Sequence, residues 1–242
     1  MKKKNVGVIG CGKWGKKIIK ELYPISNIKF IYNSKSNYKD IKENINWIFI
    51  LTPDKSHYQI VKYFLKRKTN VFCEKPLATQ LYQAKSLVNL SKRFKTKLYI
   101  DDIEIYKKKK IRLDKKNNRI LRTKKDIGTS KSLLNRLAYH DLYLLGEYIS
   151  VKNIKLIDAE AKNKILKFKI ILKNKMIFDF FYSINSKIKQ HFLNNTRMDK
   201  FRNNPIKDML RSVLYKSNNF TKNNENALKC IMLIKKIEKK IK

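Results

Sequence analysis

The chain has 242 residues, 43% of them hydrophobic, with 6 Gly and 4 Pro, which excludes a disordered or fibrous chain and leaves one large or two small globular domains with ample core. Its 58 basic against 19 acidic residues give a net charge of +39, a balance that raises nucleic acid or an anionic membrane as partner. Of the 58, however, 49 are Lys and only 9 Arg. Base and phosphate recognition favours the planar fork of Arg, so no specific nucleic-acid partner is expected, only a nonspecific, salt-sensitive attraction to polyanions.

Lys, Asn, Ile, Phe and Tyr, all abundant here, can be encoded by A and T alone, so a biased genome accounts for the surplus as well as function does. In chain order, residues 6–9 (Val-Gly-Val-Ile) read as a short buried strand. Gly10-Cys11-Gly12-Lys13-Trp14-Gly15 follows, then a helix to about Leu22. This is Gly-x-Gly-x-x-Gly between strand and helix. Gly10 permits the tight turn, Gly12 lets backbone approach a pyrophosphate, and Gly15 lets helix and strand touch.

The strand over 28–32 ends at Asn33-Ser34-Lys35, the distance at which a dinucleotide's adenosine ribose is read. An acid there would bind the 2′-hydroxyl, and none is present. A hydroxyl and a cation suit a 2′-phosphate, which favours NADP over NAD, although Lys35 is also one more of many surface lysines. Residues 47–51 form a fully buried strand turning at Thr52-Pro53, with a helix over about 56–67. His57 on its first turn either approaches the nicotinamide end of a cofactor or serves as a capping-region histidine. The run 70–73 ends at Glu74-Lys75-Pro76, followed by a helix over about 78–92 and a strand over 97–100. Strand and helix alternate throughout, which predicts an α/β fold with a doubly wound parallel sheet. Ligands sit at strand ends in such sheets. Lys75 stands at one of them, beside a proline that removes a donor, fixes φ and makes a cis bond cheap. An ammonium there can serve as acid and base; the bland reading is two solvated charges beside a strand end.

The second half reads as follows. The segment to residue 125 is short and basic. A helix begins at 137–145, carrying His140 and Asp141. Alternation over 166–172 and 176–182 predicts a hairpin turning near Asn174. Asn204-Pro205 opens a helix with Met209, Leu210, Val213 and Leu214 on one face, and residues 224–240 form the last one. His191 lies in a polar stretch and is expected to be exposed. Cys11, Cys73 and Cys230 are widely spaced, without a zinc pattern; a reducing, cytoplasmic setting is expected and no metal. The charged opening mimics a signal peptide, but Gly7, Gly10 and Lys13 interrupt its apolar run. No apolar run is long enough for a membrane span.

Gly10-x-Gly12-x-x-Gly15, Thr52-Pro53-x-x-Ser56-His57 and Cys73-Glu74-Lys75-Pro76-Leu77-Ala78, in this order and spacing, resemble the glucose–fructose oxidoreductase/inositol dehydrogenase/rhizopine catabolism family of NAD(P)-dependent oxidoreductases. The resemblance implies a Rossmann domain, taken as residues 1–102, followed by an α+β domain, residues 103–242, whose mostly antiparallel sheet carries the substrate pocket and often a homo-oligomer interface. It implies a sugar or nucleotide-sugar substrate, cofactor contacts from Gly10 to Gly15 including Lys13 and Trp14, and from Thr52, Pro53, His57, Glu74, Lys75 and Pro76. It also implies Lys75 as the residue exchanging a proton with the sugar hydroxyl. His140 resembles the family's catalytic histidine, or is a core or capping histidine. Many members carry an Asp four residues earlier, where this chain has Arg136, and Asp141 substitutes for it only in part. The basic segment before residue 125 marks a shortened member. Two readings follow: an active dehydrogenase, or a degenerate member that binds a dinucleotide or sugar as sensor or scaffold.

Overall fold

The computed structural model describes residues 2–33, 36–216 and 218–241. It divides into two compact units, Met1–Tyr106 with Asn204–Leu228, and Lys107–Asn203 with Lys229–Lys242. The chain thus passes into the second unit after Tyr106 and returns to the first over 204–228.

In the first unit the chain runs β1 (Lys4–Ile9), α1 (Lys13–Leu22), β2 (Ser26–Tyr32), β3 (Trp47–Ile50), α2 (Asp54–Lys66), β4 (Asn70–Cys73), α3 (Leu81–Arg93) and β5 (Leu98–Ile100). The strands form one sheet in the order β2-β1-β3-β4-β5, parallel throughout. All four residues of β3 are buried, as a strand covered on both faces requires. One face presents Val6, Val8, Trp47, Phe49, Phe72 and Tyr99. Phe49, Phe72 and Tyr99 stack across β3, β4 and β5 with centroids 4.9 and 5.9 Å apart. The crossovers run one way from β1 to β2 and the other way from β3 to β5, so right-handed connections put α1 on one face and α2 with α3 on the other. The chain order also places a switch point between β1 and β3, where a ligand crevice opens at the carboxyl ends of the strands.

The second unit contains β6 (Asn117–Lys125), α4 (Tyr139–Leu144), β7 (Ile154–Lys162), β8 (Ile165–Leu172), β9 (Ile177–Ser183), β10 (Asn185–Leu193) and β11 (Thr196–Arg197). Its sheet has the order β11-β10-β6-β9-β8-β7. Only β6 and β9 run parallel; the other pairs are antiparallel. The predicted hairpin is β8 and β9, with Phe168 opposite Phe180 and Leu166 opposite Tyr182, and Lys175 in its turn has φ +66°. The basic segment that was read only as short holds β6, a strand inside the sheet, and its buried Asn118, Ile120 and Thr123 explain why no apolar alternation announced it. A π-helical turn, Leu134–Ala138, runs directly into α4.

The chain then forms α5 (Pro205–Tyr215) and α6 (Phe220–Glu238). Helix α5 begins with Pro205 after the N-cap Asn204, whose side chain accepts the Lys207 amide, a favoured start. Its Met209, Leu210, Val213 and Leu214 join Ile18, Ile19 and Leu22 of α1 against the sheet. The Asn223 side chain on α6 donates to Ile100 O at 2.9 Å and accepts from Ile100 N at 2.9 Å, which satisfies the edge strand β5 as a neighbouring strand would. Farther along α6, Cys230, Ile231, Leu233, Ile234 and Ile237 are buried; Cys230 Sγ donates to Tyr139 O at 3.8 Å within the second unit. Among the described residues no helix is long and apolar enough to cross a membrane. Leu210→Ala is expected to destabilise the protein by about 2–5 kcal/mol, while Arg211→Ala on the exposed side of α5 should change stability by less than about 0.5 kcal/mol; urea unfolding of both variants checks the assignment.

Candidate functional site

The crevice starts at the β1–α1 loop. Gly10 has φ +104°, and a Cβ there would lie 2.5 Å from the Leu51 carbonyl. Its amide donates to Tyr32 O at 2.8 Å. A Cβ on Gly15 would lie 2.3 Å from Gly10 O, so the loop and the first turn of α1 touch backbone to backbone. Gly12 is the opposite case, with nothing within 4 Å of its would-be Cβ. It is the N-cap of α1 with no side-chain cap, and no acid stands in the first turn. The first-turn amides therefore have no capping carboxylate, a geometry that accepts an anion such as a pyrophosphate. Lys13 and Trp14 open the helix, and the Trp14 indole donates to Asp101 Oδ2 at 3.1 Å.

After β3 the chain turns at Thr52-Pro53, and Ser56 Oγ donates to both Thr52 Oγ1 and Pro53 O, each at 2.7 Å. His57 lies on the first turn of α2. It is 1% exposed, with Nδ1 2.7 Å from Pro76 O and Nε2 2.8 Å from Thr52 O. Both ring nitrogens are held by backbone carbonyls, so His57 ties the Thr52-Pro53 turn to the Lys75-Pro76 turn. Burial pulls its pKa below the usual histidine value, against the two carbonyls and nearby Asp54, which favour the cation.

Strand β4 ends at Cys73, and Glu74 N donates to Ile50 O at 2.9 Å. The Lys75-Pro76 bond is cis, and the Lys75 amide donates to the Glu74 carboxylate. Burial pushes Glu74 up to about 8, with Lys75 opposing the rise and Asp101 adding to it. Asp101, which the sequence did not single out, is buried at the end of β5, and its amide donates to Cys73 O at 2.9 Å. Its carboxylate accepts from Ile103 N at 3.1 Å and from Trp14 Nε1 at 3.1 Å. Burial raises it to about 6, against the Ile103 amide, the Trp14 indole and the Lys75 charge. Two carboxyl groups from adjacent strand ends thus share the electrostatic surroundings of Lys75, and one of them is tied to the glycine-rich loop. The only signal for Asp101 in the sequence was its place at a strand end.

At the ribose end, Asn33 O accepts the Ser36 amide at 3.3 Å and Asn33 Oδ1 accepts the Ser36 hydroxyl at 3.3 Å. Ser34 and Lys35, on which the NADP preference was placed, lie outside the described residues.

His140 belongs to the second unit, on the first turn of α4, with its ring edge-on to Tyr139 at 6.3 Å. The neighbouring Asp141, expected to stand in for a missing acid, is taken elsewhere. Its Oδ1 lies 2.7 Å from His191 Nε2, and its Oδ2 accepts from Tyr182 OH at 3.1 Å and lies 3.8 Å from Arg122 Nη1. Burial alone would raise Asp141, but His191, Arg122 and Tyr182 outweigh it and hold the carboxyl below its usual range. His191, expected to be exposed, is therefore buried, 3% exposed, because it partners a buried carboxylate across the sheet. Arg136 pairs with Asp126 at 2.7 Å; the Lys124 ammonium most of all, and Arg136 with it, hold Asp126 down at about 2. An acid at position 136 would face Asp126. Among the described residues no group of three or more His, Cys, Asp or Glu is arranged to hold a metal.

The Glu74 shift carries a stability signature. A carboxyl whose folded value rises from 4.5 to about 8 binds more protons folded than unfolded within that window, so stability is present below about 4.5 and falls as pH rises through about 8. Asp101 adds the same sign between 3.8 and about 6. Glu74→Gln is expected to flatten the decline of melting temperature throughout pH ~4.5 to ~8, leaving below ~6 only the part that Asp101 contributes. An unchanged slope above pH ~6 would contradict the burial of that carboxyl.

Residues 25–101 match the sequence pattern of the GFO/IDH/MocA family, described as an oxidoreductase family with an NAD-binding Rossmann fold; the match begins after the glycine-rich loop. No curated protein matches the sequence. Solved structures resemble it along its whole length. One is UDP-N-acetylglucosamine 3-dehydrogenase from Acidithiobacillus ferrooxidans, with TM-score 0.82 and 13% identity over 100% of this chain and 98% of that one. Another is a mutant 3-ketoreductase from Actinomadura kijaniata in complex with TDP-benzene and NADP, with TM-score 0.77 and 11% identity over 100% and 98%. A third is GenD2 of gentamicin A biosynthesis in complex with NAD, with TM-score 0.77 and 12% identity over 99% and 94%. The parallel first sheet and the mostly antiparallel second one give the chain the fold of these structures, a Rossmann-type first unit followed by a second domain of mostly antiparallel sheet, and residues 25–101 resemble the NAD-binding segment of the GFO/IDH/MocA oxidoreductase family.

Proposed function

We propose that this protein is an NAD(P)-dependent dehydrogenase or reductase that moves hydride between the nicotinamide and a hydroxyl-bearing or keto carbon of a sugar or nucleotide sugar. The observation that carries this reading is the placing at adjacent strand ends of Lys75, the half-buried Glu74 whose carboxylate accepts the Lys75 amide, and the buried Asp101, whose carboxylate accepts from Trp14, beside a glycine-rich loop left open at Gly12. The residues present fit a dinucleotide: the uncapped, acid-free start of α1 suits the pyrophosphate, and Thr52, Pro53, Glu74 and Pro76 lie along the same strand ends for the nicotinamide half. When bound, the nicotinamide supplies the hydride acceptor or donor.

Lys75 supplies the matching proton transfer. As a neutral amine it takes the hydroxyl proton while the carbon loses hydride, turning an alcohol into a ketone; as an ammonium it returns that proton in the reverse direction. Glu74, with its value near 8, exchanges a proton close to neutral pH and can reset Lys75 between turnovers. Asp101 holds Trp14 and with it the start of α1. His140 is proposed as a second proton-handling group, and the second sheet as a homo-oligomer interface, motivated by Leu156 and Ile188, which are 51% and 66% exposed. The Ser34-Lys35 pair supports NADP over NAD.

The competing reading, a dinucleotide-binding member without turnover, is favoured by Arg136 where many members carry an acid, and by the engagement of Asp141 with His191. Cofactor binding and turnover separate the two readings. Either NAD(P)H at 100 times its Kd is expected to stabilise the protein by about 2.7 kcal/mol in thermal unfolding, and Lys35→Asp to shift the NADP/NAD preference toward NAD. Lys75→Met, which retains an unbranched chain without the amine, should bind cofactor as the parent does and lose ~10²–10⁴-fold in rate on a panel of sugars and nucleotide sugars. Equal turnover by parent and variant would remove Lys75 as the base, and cofactor binding without turnover in either would favour the competing reading.

A further inference from the structure

His57 stands between two turns that are far apart in sequence. Its Nε2 lies 2.8 Å from Thr52 O, 5 residues away, and its Nδ1 lies 2.7 Å from Pro76 O, 19 residues away. The first turn follows β3, and the second carries Lys75. A carbonyl oxygen can only accept, so each contact is a hydrogen bond only if the ring nitrogen facing it bears a proton. Neutral imidazole has one N–H; it can bond one of the two carbonyls, and its other nitrogen then sets a lone pair against those of the oxygen. Imidazolium donates to both. With the ring 1% exposed, solvent does little to relieve the mismatch of the neutral form, and a buried polar contact left unmade is costly.

The surroundings pull on this proton in both directions. Burial, the largest influence, draws the pKa of the ring below 6.5, and Lys75, from the turn packed against it, acts in the same direction. Pro76 O, Thr52 O and Asp54, which shares the first turn of α2 with His57, favour the cation. Glu74, the residue before Lys75, feels Lys75 and Asp54 as well, so the same two charges act on the ring and on the strand end. The proton on the second ring nitrogen therefore comes and goes on the acid side of the usual histidine value, and one of the two links comes and goes with it.

We infer that His57 is the positioning residue of Lys75: protonated, it donates from both ring nitrogens and clamps the Lys75-Pro76 turn to the Thr52-Pro53 turn, and neutral, it holds only one of them. It touches backbone oxygens and acts through the turn that bears Lys75. A misplacement of about 1 Å in a reacting group can cost ~10²-fold in rate, so a link at this point is felt in turnover. The inference rests on the proposed dehydrogenase reading only in calling Lys75 the reacting base; the clamp itself requires no turnover.

Nitrogen-15 NMR of the full chain labelled at its 3 histidines tests the clamp. The His57 signals are assigned by Overhauser contacts to Thr52 and Pro76, so the result does not depend on a variant folding. As pH falls from ~8 to ~5, His57 is expected to pass from one N–H to two, with a midpoint below the ~6.5 of an unperturbed histidine. A ring that keeps a single N–H over the whole range overturns the proposal. Hydrogen exchange, corrected for its intrinsic pH dependence, should show the Glu74, Lys75 and Leu77 amides more protected below that midpoint than above it. Glu74 and Asp101 titrate in the same range, and His57→Gln separates their effect from that of the ring: its amide nitrogen donates to one carbonyl and its oxygen cannot donate to the other. The difference in protection should vanish in His57→Gln; the same difference in parent and variant overturns the proposal. On a panel of sugars and nucleotide sugars with NADH or NADPH, His57→Gln should lose at least about tenfold in kcat and change the Kd of NADH less than about twofold. Parent turnover that His57→Gln leaves unchanged overturns the positioning role, whereas a clamp seen by NMR and exchange in a parent without turnover upholds the clamp and defeats the dehydrogenase reading.

Discussion

A parallel sheet must be covered on both faces, and this requirement organises the first domain. Strands β1, β3 and β4 are apolar on both sides, so helices have to lie above and below them. The outward connections from β3 to β5 supply α2 and α3 for one face. The other face receives only α1 from the first hundred residues, too little to cover Trp47, Phe49, Phe72 and Tyr99. The chain therefore brings back α5 and the start of α6, whose apolar stripe completes that core. Asn223 on α6 satisfies the edge of β5 in the same step. The reversal of crossover direction that produces the two layers also opens the crevice between β1 and β3, so the architecture of the core and the location of the site have one cause.

Electrostatics divides the molecule differently. In a chain of +39 with only 19 acids, Asp101, Asp102, Glu104 and Asp141 are all buried. Each buried acid needs compensation. Asp101 finds it in the Ile103 amide, the Trp14 indole and the Lys75 charge. Asp102 accepts from Tyr99 OH at 2.5 Å and from Asn223 Nδ2 at 3.2 Å. Asp141 is compensated by His191, Arg122 and Tyr182. These four acids are thus used inside, where they organise strand ends and the α4–sheet contact, and most of the lysines stay in water.

In the second domain Asp141 acts as an anchor. It is the residue after His140, and its partners come from β6, β9 and β10. The carboxylate therefore fixes α4 to the sheet. Replacing one partner of such a buried set leaves a charge uncompensated, which gives the cluster a structural importance not visible in the spacing of its residues.

The alternation of strand and helix, the glycine loop, the Thr52-Pro53 turn and the Glu74-Lys75-Pro76 strand end were legible in the sequence because each is local: periodicity and turn chemistry are written into neighbouring residues. The β8–β9 hairpin was legible for the same reason. Strand β6 was not, because its buried positions include Asn118 and Thr123 and its apolar alternation is broken. His191 followed the same logic, since a polar setting in sequence suggests exposure unless a buried acid waits across the sheet. What only the tertiary structure decided are pairings between distant residues: Trp14 with Asp101, 87 positions apart, Asn223 with Ile100, 123 apart, Asp141 with His191, and α5 with α1. No local pattern encodes these. They form when burial brings polar groups together without water and each must find a partner. The sequence by itself thus determined the Rossmann half and its candidate lysine, and packing decided which carboxyls share that lysine's electrostatic surroundings, because desolvation acts only once the chain has closed over them.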